Sequence, residues 1–286
     1  PSCGAWSPNP SAHDPAPPPE TAMDPASNDP HLPRPIPAEV VLLSAGPGDL
    51  ELLTLRAVRD LQAADVLLLD ELVDPAIVEL APGARVLRVG KRGGCRSTPQ
   101  DFICRLMRRY ARQGLRVVRV KGGDALLFGR AGEEIAFLRA AGVPVRIVNG
   151  VSAAFAAAAS LGVSLTHREH CHGVTFVTAH TADHGEPDWA ALCATGTTLA
   201  IYMGMRRIDA LARALLCHLP ARTPAAIVQA ATQAGERRTL TTLGRLAGAA
   251  AGVAPGLPGV ILVGGALREV AFERSGQPAQ AVATPA

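Results

Sequence analysis

Short apolar runs alternate along the chain with segments whose apolar residues recur at helical spacing, beginning at Val40. The runs predict strands at Val40–Leu43, Asp65–Leu69, Arg85–Val89, Arg116–Val120 and Pro144–Val148. Between them, Leu52, Leu55, Val58 and Leu61 predict a helix over Leu50–Ala64, and Asp74-Pro75 opens a short helix to Leu80. Further helices are predicted over Pro99–Arg112, capped by Ser97 or Thr98 and stopped by Gly114, and over Gly132–Ala141, stopped by Gly142. Strand alternating with helix at this rhythm predicts a mostly parallel sheet with helices on its faces.

The pattern resets at Gly150. An alanine-rich helix, Ser152–Leu161, precedes strands at Val174–Thr178, Thr198–Met203, Ala225–Val228, Arg237–Thr241 and Val260–Val263. Helices are expected near Asp188–Ala194, Arg207–Leu219 and Gly244–Ala250. The short connection before Arg237–Thr241 predicts some antiparallel pairing. The expected architecture is two α/β domains, 38–149 and 150–270, flanked by a Pro-rich tail (1–37) and a flexible tail (271–286).

Composition changes this picture at the ends and along one stretch. Residues 1–37 hold 12 of the 24 prolines and no apolar periodicity, so they cannot bury enough surface to offset their ordering entropy. They lack the basic start and apolar stretch of a secretory signal, and Met23 lies among them as a candidate start. The six cysteines form no C-x-x-C pair, which fits reduced thiols in a cytoplasmic protein. No run has the length of a membrane span.

Net charge is only +3, yet residues 88–130 carry twelve basic side chains against Asp101 and Asp124, a local excess of ten. A nucleic acid or a polyanionic small molecule would suit such a stretch, although Arg105, Arg108, Arg109 and Arg112 also fit the solvated face of one helix. Few aromatics accompany these charges (Phe102, Tyr110 and Phe128), so stacking platforms for single strands are scarce. Of 28 basic residues only Lys91 and Lys121 are lysines, and both lie in glycine-containing turns, where a compact or titratable cation is favoured over a guanidinium.

Candidate chemistry collects where strands of the first domain end: GPGD at 46–49, Asp70, GKRGG at 90–94 and KGGD at 121–124. Ligands of open parallel sheets gather beyond those ends. Neither G-x-G-x-x-G nor a P-loop occurs in the chain. A glycine pair admits close backbone approach, and Asp124 would then either face a cationic part of a ligand or bond backbone amides. Taken as residues alone, Asp70 reads as a helix cap or loop acid and Lys91 as a surface cation.

These stretches carry a resemblance. GPGDLELLTLRA (46–57), ADVLLLDELV (64–73), VGKRGG (89–94), RVVRVKGGDALLFGR (116–130), AGVPVRIVNGVSAA (141–154), GVSLTHRE (162–169) and LAIYMGM (199–205) resemble the tetrapyrrole methyltransferases, most specifically the uroporphyrinogen-III C-methyltransferases. The resemblance implies a homodimer of two-domain α/β subunits that bind S-adenosylmethionine in the cleft between domains. It implies methylation of uroporphyrinogen III at C2 and C7 to precorrin-2, for sirohaem or cobalamin synthesis. By position it puts cofactor contacts on Pro47, Gly122, Gly123, Asp124, Leu127, Ser152, Ala153, Met203 and Ala231, a base on Asp70 and a proton donor on Lys91.

A substrate with eight carboxylates accounts for the basic stretch without nucleic acid, and Arg92, Arg96, Arg130 and Arg168 are candidates to bind it. The chain departs from the family pattern at Glu71, where arginine is common, and at Ala231, where glycine is expected. His167-Arg168-Glu169-His170-Cys171-His172 has metal-ligating residue types, but local spacing rarely closes a tetrahedral site, and no metal is expected.

Overall fold

The structure, a computed structural model, describes residues 39–90, 98–179, 185–249, 252–254 and 256–268. The first half runs β1 (Val40–Ser44), α1 (Leu55–Gln62), β2 (Val66–Leu69), β3 (Arg85–Arg88), α2 (Gln100–Arg112), β4 (Val117–Lys121), α3 (Ala131–Ala140) and β5 (Val145–Val148). Its strands form one sheet in the order β3-β2-β4-β1-β5, and every pairing is parallel. The central strands β2, β4 and β1 are covered on both faces, which is why they read as nearly continuous apolar runs, whereas the edge strand β3 is largely exposed. Val40 and Leu42 pack with Ile103, Met107 and Leu138 on one face. Val41 and Leu43 pack with Leu61 and Ile77 on the other, as the two-residue period of a strand requires.

The second half runs α4 (Ala153–Leu161), β6 (Val174–Thr178), α5 (Trp189–Ala194), β7 (Thr198–Tyr202), α6 (Ile208–Leu216), β8 (Pro224–Gln229), β9 (Arg237–Thr242), α7 (Leu246–Ala249) and β10 (Gly259–Val263). Its sheet has the order β6-β7-β10-β8-β9. Only β6 and β7 are parallel, so the antiparallel content extends well beyond the expected hairpin. Ala154, Ala157 and Ala158 let α4 lie close on Ala200, Ala226 and Leu262, and α6 covers the opposite face through Leu211 and Leu215.

Local chemistry moves several boundaries. The helix expected from Leu50 begins instead at Leu55, because Thr54 Oγ1 accepts from Ala57 N at 3.1 Å and caps it. The preceding Leu50–Leu52 is a separate 3₁₀ turn capped by Asp49. Asp74 caps the Pro75–Leu80 turn as expected, although that turn is 3₁₀. Helix α2 starts from Pro99 with no side-chain cap, so Thr98 does not serve as one, and Ser97 lies outside the described residues. Arg105, Arg109 and Arg112 are exposed along α2, the solvated face foreseen for them, and Arg108 lies over the Phe137 ring. Among the described residues no helix is long and apolar enough to cross a membrane.

Candidate active site

The strand order sets the site. Side by side at the carboxyl edge of the first sheet stand Gly90 after β3, Asp70 after β2, KGGD ending β4, GPGD after β1, and Asn149-Gly150 after β5. Ala45 N donates to Lys121 O at 2.8 Å, Gly46 N to Gly123 O at 3.1 Å and Gly123 N to Gly46 O at 2.7 Å. The two glycine loops that stood apart in the sequence are thus one backbone-paired platform.

KGGD needs both glycines, for different reasons. A Cβ on Gly122 would lie 3.2 Å from Leu72 O, so a side chain there presses on the neighbouring loop. Gly123 has φ +66°, a conformation that L side chains rarely adopt. Of the two roles open to Asp124, the geometry supplies the bonding of amides. Its Oδ1 accepts from Leu126 N at 2.9 Å, and its Oδ2 from Gly150 N at 3.1 Å and Asn149 Nδ2 at 3.3 Å. One carboxylate therefore ties the KGGD turn to the loop after β5.

The second half closes on this platform. Asp49 N donates to Thr232 Oγ1 at 3.1 Å, and Gln233 Nε2 to Pro47 O at 3.0 Å. Ala153 N lies 3.9 Å from where a Gly123 Cβ would stand. Ser152 Oγ shares a 2.6 Å hydrogen bond with Tyr202 Oη, which also accepts from Ala154 N at 3.0 Å. Burial pushes the Tyr202 phenol up, so it remains a neutral hydroxyl. Its ring packs on Phe128 at 5.1 Å. Pro47, Gly122, Gly123, Asp124, Ser152 and Ala153 are therefore joined through one seam between the sheets. Leu127 is bound to it by its amide on Asp124 O, and Met203 and Ala231 adjoin Tyr202 and Thr232.

Among the described residues, the non-glycine residues with positive φ are Phe128, Arg130, Met203, Ala230 and Thr232, and of these Phe128 and Thr232 contact the seam directly through Tyr202 and Asp49. Such conformations cost energy and cluster at functional sites. Ala231, standing where a glycine is expected, is itself buried and not among them, so its methyl requires no strained backbone.

The charged candidates divide. Asp70 is partly exposed, with Oδ1 accepting from Glu71 N at 2.9 Å and Oδ2 from Arg119 Nη2 at 2.8 Å. Arg130 makes a bidentate pair with Glu133 at 2.8 and 2.7 Å, and this holds the Glu133 carboxyl below its usual range. Arg168 is exposed. Lys91, Arg92 and Arg96 lie outside the described residues.

Lys121 was expected in a glycine-containing turn as a compact or titratable cation, and it lies just before that turn. It is the last residue of β4, buried, with Nζ 3.2 Å from both oxygens of Glu134. Burial, then the nearby Arg119 charge, pushes its ammonium below the ordinary lysine value against the pull of Glu134. Arg119 and Glu134 were not singled out from the sequence as site residues. The available signal was two cations at i and i+2 in an otherwise apolar strand, which require a buried counter-charge.

The His-rich stretch does not gather as a four-ligand site. His167, Glu169 and His170 bring ligating atoms within 4.8 Å of one another. Cys171 instead turns inward, its Sγ donating to Gly173 O at 3.0 Å and accepting from Thr198 N at 2.9 Å.

Comparison with known proteins agrees with this geometry. Residues 39–247 match the family model described as tetrapyrrole (corrin/porphyrin) methylases. A uroporphyrinogen-III C-methyltransferase of Pseudomonas aeruginosa is 50% identical over 233 residues, covering 81% of this chain and 95% of that protein. Siroheme synthase 2 of Aeromonas hydrophila is 45% identical across 81% of this chain but only 50% of its own length. The crystal structure of the uroporphyrin-III C-methyltransferase from Thermus thermophilus complexed with S-adenosyl homocysteine superposes with a TM-score of 0.71 at 39% identity, covering 81% of this chain and all of that one. A cobalt precorrin-4 methyltransferase superposes at 0.74 with 28% identity. With the family model spanning well over half of its residues, the chain belongs to the tetrapyrrole methylases.

Proposed function

We propose that the chain is an S-adenosylmethionine-dependent uroporphyrinogen-III C-methyltransferase, methylating C2 and C7 to give precorrin-2 for sirohaem or cobalamin synthesis. The observation that carries this reading is the paired GPGD–KGGD platform closed by the second half, in a chain that matches a uroporphyrinogen-III C-methyltransferase along 95% of that enzyme.

The residues fit the cofactor's chemistry. It combines a cationic sulfonium with an amino-acid end, which calls for backbone polar groups, apolar walls and few fixed charges. The glycine turn offers close backbone approach, and Leu127, Ala153, Met203 and Ala231 offer apolar surface. When bound, S-adenosylmethionine supplies an electrophilic methyl group.

The chain's own work is then to position and to move a proton. In-line displacement depends on alignment, and two reactants held on one rigid platform gain most of what proximity can give. Once a methyl has added to a pyrrole carbon, a proton must leave the macrocycle. Asp70 is proposed to accept it on its carboxylate and release it to solvent, one proton leaving for each methyl gained, and Lys91 is proposed as the site's proton donor for any accompanying tautomeric shift, with no net change in that count. Arg92, Arg96, Arg130 and Arg168 are proposed to meet substrate carboxylates. For Arg130 this means releasing or sharing its exposed pair with Glu133. A homodimer working in the cytoplasm, with a domain boundary at 149–150, completes the proposal.

The test is incubation of the purified chain with S-adenosylmethionine and uroporphyrinogen III. Mass spectrometry is expected to find a dimethylated product with two equivalents of S-adenosylhomocysteine. Methylation of a different precorrin alone, or salt-sensitive nucleic-acid binding with no methylation, would overturn the reading.

A further inference from the structure

Three charged groups behind Asp70 are buried, and the proposed reaction uses none of them directly. Arg119 is 2% exposed, Lys121 3% and Glu134 0%. One guanidinium spans two carboxylates: Nη2 meets Asp70 Oδ2 at 2.8 Å and Nε meets Glu134 Oε1 at 3.2 Å. Its Nη1 donates to the Leu68 and Val120 carbonyls at 3.4 and 3.2 Å. Lys121 Nζ and Gln100 Nε2, the latter at 2.9 Å, complete the shell of Glu134. Two cations balance two acids, and among the four only Asp70 reaches solvent appreciably, with its side chain 34% exposed.

Burying four charges is costly and is weak support for stability by itself. This arrangement does, however, fix the one carboxylate that faces outward. We propose that Arg119 is a positioning residue for proton transfer at Asp70: the bond from its Nη2 to Oδ2 sets the direction in which the outward-facing carboxylate is held. Glu134 and Lys121 hold Arg119 in place. The proposal rests on the reading of Asp70 as the base.

A guanidinium suits the task because it stays charged at every working pH and its planar fork reaches two acids at once, whereas an ammonium is a point charge. Among the described residues, the charged and titratable groups near this cluster include Cys104 from α2, Arg130 and Glu133 at the start of α3, and Glu71 beside Asp70. Burial, then Glu134, pushes the Cys104 thiol up, so it adds no charge near neutral pH.

The test uses Arg119→Lys and Glu134→Gln in the full chain. The carbon-13 resonance of the Asp70 carboxyl is recorded without substrate at one pH, and kcat and both Michaelis constants are measured with S-adenosylmethionine and uroporphyrinogen III. Arg119→Lys keeps the charge but loses the fork that reaches two acids, and is expected to move the Asp70 resonance and to lower kcat by roughly thirtyfold with the Michaelis constants within about twofold. Glu134→Gln loosens one of the two holds on Arg119 and is expected to move the same resonance and to lower kcat by roughly threefold to tenfold. Cofactor affinity should stay within about twofold in each, since neither side chain joins the platform that carries the glycine turn. A kcat loss at nearly unchanged Michaelis constants, with a moved Asp70 resonance, supports the proposal; an unmoved resonance, or a loss carried by the Michaelis constants, overturns it. If Arg119→Lys does not fold, the Glu134→Gln result decides alone. The NMR arm needs no turnover, so failure of the methylation reading would be recognised separately.

Discussion

Gly46 and Gly123, 77 positions apart, exchange two backbone hydrogen bonds and form an isolated antiparallel bridge where the parallel sheet ends. Neither glycine loop is a free turn. Each fixes the other's backbone, and Asp124 then fastens the pair to Gly150. The two loops of the cradle are thereby held by bonds within the chain itself, and preorganisation of this kind lowers the entropy lost on binding.

Gly123→Ala separates this cradle's conformation from its contents. With φ at +66° and the nearest atom 3.9 Å from the added methyl, the substitution is strained but not crowded. We expect a loss of about 1–2 kcal/mol of stability. Cofactor affinity, measured by calorimetry, is expected to fall at least about tenfold because the methyl stands where close backbone approach is needed. An unchanged dissociation constant would move the cofactor away from this turn.

Asp124→Asn keeps shape and removes capacity. The aspartate accepts from two backbone amides and one side-chain amide, whereas asparagine has one acceptor oxygen and a donor that would face another donor. Denaturant unfolding is expected to lose about 1–3 kcal/mol. Wild-type stability in this variant would mean that the clamp contributes nothing.

Tyr202→Phe removes the hydroxyl between Ser152 Oγ and Ala154 N while keeping the ring on Phe128. The expected outcome is a loss of about 1 kcal/mol in stability and a several-fold rise in the Michaelis constant for S-adenosylmethionine, with kcat little changed. A fall in kcat at unchanged Michaelis constant would contradict the placement of α4 at the cofactor.

Glu236 provides the pH test. Burial opposes its charge, but hydrogen bonds from Ser160 Oγ and Thr232 N and the Arg238 ion pair outweigh burial and hold it below the ordinary value of 4.5. A depressed folded value means that this stabilisation is present above the unfolded pKa and is lost as pH falls through the folded one. Glu236→Gln should therefore cost about 1–2 kcal/mol at pH 7, and the two melting curves should converge in acid. A pH-independent gap would contradict the assignment.

Much of the first sheet was legible because its central strands are buried on both faces and helices α1 and α2 are amphipathic. Chemistry at strand ends followed from the same pattern. The order of the second sheet was not legible, since the pairing of β10 between β7 and β8 depends on contacts distant in sequence. Asp124 could be read two ways until Gly150 N was placed beside it. Arg119 looked like one more residue of a basic tract because its partners lie 49 positions before it and 15 after it, so neither shares its local pattern.

The central claim is tested most directly by the methylation reaction run on wild type and Asp70→Asn side by side, with cofactor binding measured in both. The account predicts dimethylated uroporphyrinogen III from wild type. For Asp70→Asn it predicts cofactor affinity within about twofold and turnover reduced by roughly a hundredfold or more. No methylated product from wild type would contradict the proposed activity, and full turnover by Asp70→Asn would remove the carboxylate from the mechanism.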